Sequence, residues 1–176
     1  MDQNETVIQS ETLYSGRILH LRLDTVRLPD GNQSRREIVE HRGAVCIVPV
    51  RADGMVLLVR QFRLAAGKSL LEIPAGTLEE GEDPDACAAR ELEEETGYKA
   101  TTLRPLFQAY LAPGYSTELI HAYLATDLVP GQTHTDSDEY VELVPMPLAE
   151  AERRVLAGEI EDSKTISALL VALRCL

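Results

Sequence analysis

The chain has 176 residues, a length at which one unit with a buried core is the rule. Its 17 Lys and Arg against 29 Asp and Glu leave a formal charge of −12, which opposes broad docking on nucleic-acid backbones or anionic membranes. With 44% hydrophobic and 26% charged residues it is composed like a globular protein, unlike a disordered or collagenous chain.

Taken in order, residues 1–5 are acidic and polar, where an export signal needs a basic start and an apolar run. Residues 6–40 carry β-branched and alternating segments interrupted by a turn at Pro29-Asp30-Gly31-Asn32, which predicts an N-terminal antiparallel layer. Two apolar runs, 44–50 and 55–59, flank Asp53-Gly54, a pair suited to a hairpin, and predict core strands. Asp83 as N-cap, Pro84 at the first helical position and Gly97 as a stop define a helix over Pro84–Thr96. Strand-like segments at 103–110 and 118–125 precede a polar stretch at 133–138. A short strand at 141–144 and helical patterns at 147–157 and 163–175 follow. The sum is an α/β (α+β) protein, a mixed sheet with helices packed on it. The apolar runs fall well short of the ~20 residues that span a bilayer. Cys46, Cys87 and Cys175 are odd in number and form no C-x-x-C pair, which reads as reduced thiols in a soluble, cytoplasmic protein.

The helix over 84–96 carries the chemistry. At about 100° per residue, Glu91, Glu94 and Glu95 fall within an arc of about 100°, whereas Glu93 points elsewhere. Carboxylates about 4 Å apart repel by ~4 kcal/mol at an effective dielectric near 20, a cost that a bound divalent cation removes. The same arc holds only the small residues Cys87 and Ala88, leaving room for a ligand or loop, as an oxygen-lined Mg²⁺ or Mn²⁺ site requires. A bare Glu-Leu-Glu-Glu-Glu run is commonly just a solvated helix face. The residues around it decide: Gly76 lies six positions before Glu82, Glu82 eight before Arg90, and Glu91, Leu92, Glu94, Glu95, Gly97 and Tyr98 follow.

Residues 76–98 thus resemble the Nudix box, G-x5-E-x7-R-E-U-x-E-E-x-G-U with U bulky and apolar. Every fixed position matches, and Tyr98 alone departs from the usual aliphatic residue. The resemblance implies a Nudix-type α/β/α sandwich with a mixed β-sheet that uses Mg²⁺, with Mn²⁺ as the alternative, to cleave a nucleoside diphosphate linked to another group. Carried over by position, it makes Glu91, Glu94 and Glu95 metal ligands with the Ala75 carbonyl as an extra oxygen, places Glu79 or Glu82 nearby, and has Arg90 orient the ligating carboxylates.

Beyond the box, Val59-Arg60-Gln61-Phe62-Arg63, Leu71-Glu72-Ile73-Pro74-Ala75-Gly76 and Leu111-Ala112-Pro113-Gly114 resemble the ADP-ribose pyrophosphatase branch, and the likeness runs from about residue 12 to 173. It implies ADP-ribose or a related nucleoside diphosphate sugar as substrate, with AMP and ribose 5-phosphate as products of water attack on phosphorus. Arg36, Arg63, Pro113 and Gly114 become substrate-binding residues. Glu139, within the polar stretch, becomes the catalytic base beside Glu95 and Arg90, with Glu142 and Glu118 as alternatives. Branch members stack adenine on N-terminal aromatics, yet this chain has no Trp and only Tyr14 before Phe62. The expected organisation is an N-terminal layer over 1–42 that serves dimerisation and the substrate pocket, and a Nudix domain over 43–176, in a homodimer that engages neither nucleic acid nor membrane.

Rival motifs fail. A P-loop ending at Gly67-Lys68-Ser69 would need glycine where Phe62 stands, and a calcium loop opening at Asp136 would need glycine where Val141 stands. The four histidines have no short metal-ligand spacing. The reading of another class is a Nudix-fold module that binds a nucleotide sugar without cleaving it, against which stands the complete Glu91, Glu94 and Glu95 set.

Overall fold

The computed structural model describes residues 3–132 and 140–176. It divides into two units, one formed by the chain up to Gly43 with Tyr110–Leu119, the other by Ala44–Ala109 with Ile120–Leu176.

The first unit is an antiparallel sheet of β1 (Thr6–Ser15), β2 (Leu19–Arg27) and β3 (Gln33–His41), in that order. The expected turn links β2 to β3. Leu28 N–H donates to Asn32 O at 2.8 Å, Asp30 Oδ1 accepts Asn32 N–H at 3.0 Å, and Gly31 takes a φ of 88° that a side chain would resist. Tyr110–Leu119 returns to this unit, where Val39 N–H donates to Tyr115 O at 2.7 Å and Thr117 N–H to Val39 O at 3.0 Å. β1 is exposed along its whole length, Val7, Leu13 and Tyr14 included.

The second unit contains β4 (Ala44–Pro49), β5 (Met55–Arg63), β6 (Lys68–Glu72), β7 (Ala75–Thr77), β8 (Tyr98–Tyr110, its last residue in the first unit), β9 (Leu119–Pro130, its first residue likewise) and β10 (Glu142–Pro147), with α1 (Pro84–Thr96), α2 (Leu148–Leu156) and α3 (Ser163–Ala172). One sheet runs β7-β4-β9-β8, with β4 parallel to β9; the other runs β10-β5-β6, antiparallel throughout. All six residues of β4 are buried, as a strand covered on both faces must be. Val45 and Ile47 join Cys87, Ala88, Leu92, Tyr123 and Ala125 in one apolar cluster under α1. Cys46 and Val48 alternate to the other face and are equally inaccessible, and α3 also packs on β4.

The hairpin expected around Asp53-Gly54 is only half present. The turn forms, with Gly54 at φ 80° and Arg51 N–H donating to Met55 O at 2.9 Å, but pairing stops at an isolated bridge between Val50, just past β4, and Val56, and the two strands belong to different sheets. A strand apolar on both faces gains more from an interior place beside β9 than from continuing the hairpin. The short strands β6 and β7 carry no alternating pattern that announces them. The helix over Pro84–Thr96 has the expected bounds: Asp83 Oδ1 accepts from Asp85 N–H at 2.9 Å and Ala86 N–H at 3.3 Å, and Gly97 closes it at φ 73°.

Candidate active site

The backbone between β6 and β7 is pinned residue by residue. Pro74 O accepts Ile47 N–H at 2.9 Å, Ala75 stands opposite Cys46 in the β4–β7 ladder, and Ala75 N–H donates to Glu95 Oε2 at 3.2 Å. At Gly76, a Cβ would lie 1.9 Å from Glu91 Oε1. The missing side chain is therefore the space that the Glu91 carboxylate occupies, and glycine is required here for close approach.

On α1, one arginine gathers the acidic side chains. Arg90 Nε and Nη2 fork onto Glu82 at 3.0 and 3.1 Å, while Nη1 donates to Glu91 Oε1 at 2.7 Å and to Glu94 Oε2 at 2.9 Å. Glu82 also accepts the Glu79 N–H at 2.9 Å. The Arg90 hydrogen bonds hold the Glu82 carboxyl at about 2, and the same contacts raise the guanidinium above its ordinary value. Glu95 is only 8% exposed. One guanidinium among Glu82, Glu91, Glu94 and Glu95 leaves the cluster anionic. Cys87, buried beside Arg90, is pushed up to about 12 by burial and by its Glu82 neighbour, so it remains a thiol and offers no nucleophile.

Among the described residues, no group of three or more His, Cys, Asp or Glu side chains is arranged to hold a metal ion. The donor set nevertheless fits a hard divalent cation. Glu91, Glu94 and Glu95 offer only carboxylate oxygens, they share one helix face, and Gly76 clears the approach to the first of them.

The other expected site residues divide between the units. In the first, Arg36 and Gly114 line a cleft of about 470 Å³ with Leu23, Arg35 and Tyr115, and Arg36 Nε donates to Glu5 Oε2 at 3.0 Å. Pro113 lines a second cleft of about 420 Å³ with Arg22, Ile38, Tyr110 and Tyr115. Glu118 also belongs to this unit. In the second unit, Arg63 forks onto Glu72 at 2.7 and 2.8 Å, and Glu142 accepts from Arg60 at 2.9 Å. Glu139 lies outside the described residues.

Two features escape sequence reasoning. Tyr110 and Tyr115 bring exposed rings to a unit whose own strands are poor in aromatics, because the chain returns there. Glu72, 1% exposed, is held by Arg63 and by Lys164 from α3. Burial pushes its pKa up, but the two cations outweigh that and hold it at about 2, below the ordinary 4.5. A depressed carboxyl contributes stability above the unfolded value and loses it as pH falls toward the folded one. Acid unfolding followed by circular dichroism is therefore expected to lose this contribution between pH 4.5 and about 2. Glu72→Gln is expected to remove it and to cost about 2 kcal/mol at neutral pH, because Lys164 is left with Asp162 and the partly exposed Arg63 turns toward water.

Comparison with known proteins accords with this geometry. The NUDIX domain model matches residues 40–169, and the model of the nucleoside diphosphate sugar hydrolase N-terminal domain matches residues 5–39. The chain belongs to the Nudix hydrolase family. It is 41% identical over 167 residues to the ADP-ribose pyrophosphatase of Bacillus subtilis (strain 168), covering 94% of this chain and 90% of that one. It is 42% identical to the methanol dehydrogenase activator of Bacillus methanolicus over the same shares. A solved ADP compounds hydrolase superposes with a TM-score of 0.87 at 27% identity, covering 99% of this chain and 95% of the other. No helix among the described residues is long and apolar enough to cross a membrane.

Proposed function

We propose that this Nudix hydrolase cleaves nucleoside diphosphate sugars, ADP-ribose first among them, with Mg²⁺ as the working ion. The observation that carries the reading is the carboxylate cluster set over Gly76, in a chain whose relatives include a named ADP-ribose pyrophosphatase. Water would attack one phosphorus of the diphosphate, its oxygen forming the new P–O bond. The bridging oxygen would leave with the other phosphate, giving AMP and ribose 5-phosphate.

Glu91, Glu94 and Glu95, with the Ala75 carbonyl, would hold the cation. When bound, a divalent cation polarises a phosphoryl oxygen and eases loss of a proton from water. Arg90 keeps Glu91 and Glu94 aimed by its Nη1 donors, and Ala75 N–H fixes Glu95. Arg36 and Gly114, on their cleft with Tyr115, would bind the nucleotide; the exposed Tyr115 ring offers the base a stacking face, and Pro113 shapes the neighbouring cleft. Arg63 would reach the phosphates from a guanidinium already oriented by Glu72. Glu139 would take the proton from the attacking water. Glu139→Gln is expected to lower kcat by about 100-fold or more with little change in ligand affinity, and unchanged kcat would move the base elsewhere.

The reading is tested by incubating the protein with Mg²⁺ and a panel of ADP-ribose, other nucleoside diphosphate sugars, NADH and diadenosine polyphosphates, with products separated by chromatography. AMP and ribose 5-phosphate from ADP-ribose support it. Binding of ADP-ribose without products would favour the non-catalytic module, and preference for another member of the panel would reassign the substrate. We further propose a cytoplasmic homodimer, because β1 exposes Val7, Ile8, Leu13 and Tyr14 on an edge strand whose open faces favour a second copy. Sedimentation is expected to give twice the mass of one chain; a monomer at assay concentration would defeat this.

A further inference from the structure

Three successive residues of the 73–75 backbone are each tied to a different element. Pro74 O is held by β4 through Ile47 N–H, and Ala75 N–H is held by α1 through Glu95. The third tie comes from α3. Ile73 N–H donates to Thr165 Oγ1 at 2.9 Å, and both residues are wholly buried. Thr165 Oγ1 in turn donates to Asp162 Oδ2 at 2.5 Å, so the hydroxyl's donor and acceptor roles are both filled. One residue earlier, Glu72 receives Lys164 Nζ, which also reaches Asp162 Oδ2 at 2.9 Å.

Capping of α3 does not account for these contacts. Asp162 already caps the helix by accepting Thr165 N–H at 3.0 Å, a contact that needs neither the Thr165 hydroxyl nor the Lys164 ammonium. The Thr165 hydroxyl and the Lys164 ammonium both touch Asp162 and also reach beyond the cap, to the Ile73 N–H and the Glu72 carboxylate. Immediately downstream stand the Ala75 N–H that fixes Glu95 and the Gly76 gap that admits Glu91. We infer that Thr165 and Lys164 are positioning residues for the carboxylate cluster, Thr165 through the Ile73 N–H and Lys164 through the Glu72 side chain, which together steady the backbone leading to residues 75 and 76.

This rests on the reading of Glu91, Glu94 and Glu95 as cation ligands. Loss of the Thr165 oxygen leaves a buried N–H without a partner, and the loop must shift to recover one. A shift there moves the seats of Glu95 and Glu91 together. Outer-shell supports of this kind are worth about 10- to 100-fold in metal affinity when they touch the ligands directly, and Thr165 acts one step further out.

The test is a titration of the full chain with Mn²⁺ alone, without substrate, following free Mn²⁺ by electron paramagnetic resonance well below each variant's melting temperature. Thr165→Val is expected to weaken Mn²⁺ binding about tenfold, and Lys164→Gln severalfold, while Thr165→Ser, which keeps the hydroxyl, stays close to the parent. Glu95→Gln in the same series is expected to lose binding outright. Parental affinity in Thr165→Val and Lys164→Gln, with binding lost in Glu95→Gln, would overturn the inference and leave the cation site standing. A loss in Thr165→Val that Thr165→Ser shares in full would overturn it as well. Parental affinity in Glu95→Gln would overturn the cation site itself. Should Thr165→Val not fold, Lys164→Gln decides by the same titration.

Discussion

Replacing Glu95 by Gln is expected to lower metal-dependent turnover of ADP-ribose by about 100- to 1000-fold, because the carboxylate would help hold the cation that offsets charge developing on the phosphoryl oxygens. The change keeps the side chain's size, and its carbonyl oxygen can still accept the Ala75 N–H that Glu95 Oε2 accepts at 3.2 Å. The fold is therefore expected to survive, with a melting temperature within a few degrees of the parent. The two readouts together matter. Glu95 is 8% exposed and stands among other carboxylates but also within the field of Arg63, so neutralising it relieves repulsion and forfeits attraction together and leaves stability little changed. Steady-state kinetics with Mg²⁺ and a thermal melt check both halves, and near-normal turnover in a folded variant would sink the cation assignment.

Gly76→Ala is expected to be equally damaging to turnover, at about 100-fold or more, for a different reason. The new methyl would fall 1.9 Å from Glu91 Oε1, far inside contact distance. What it meets is the far end of a flexible side chain rather than backbone, so Glu91 can swing aside at little cost to the fold. The carboxylate would then leave the place where Arg90 Nη1 holds it at 2.7 Å. Loss of activity with preserved stability, read by kinetics and melting of one sample, is the expected pattern. A variant that keeps full turnover would show that Glu91 does not work from this position.

What could be read in advance follows the range of the forces involved. The helix over Pro84–Thr96 is set by neighbours in sequence: an aspartate cap, a proline and a glycine stop, each acting within one turn. The grouping of Glu91, Glu94 and Glu95 follows from helical geometry, and so was legible as well. The parting of β4 and β5 was not, because a local Asp-Gly turn signal competes with burial beside β9, more than sixty residues away in sequence. Glu72 could not be distinguished from any other strand-end acid, since its Lys164 partner lies on another element 92 residues later. The same holds for the tyrosines of Tyr110–Leu119, which only the return of the chain gives to the first unit.

The Ile73–Thr165 hydrogen bond also bears on when the site can exist during synthesis. The ribosome delivers the box, with its glycine and its glutamates, long before it delivers α3. Until Thr165 and Lys164 have emerged, the Ile73 N–H and the Glu72 carboxylate lack these partners. A nascent chain would carry the whole recognisable motif and still lack the α3 contacts that steady residues 72 and 73. Full support of the site thus waits on the docking of α3.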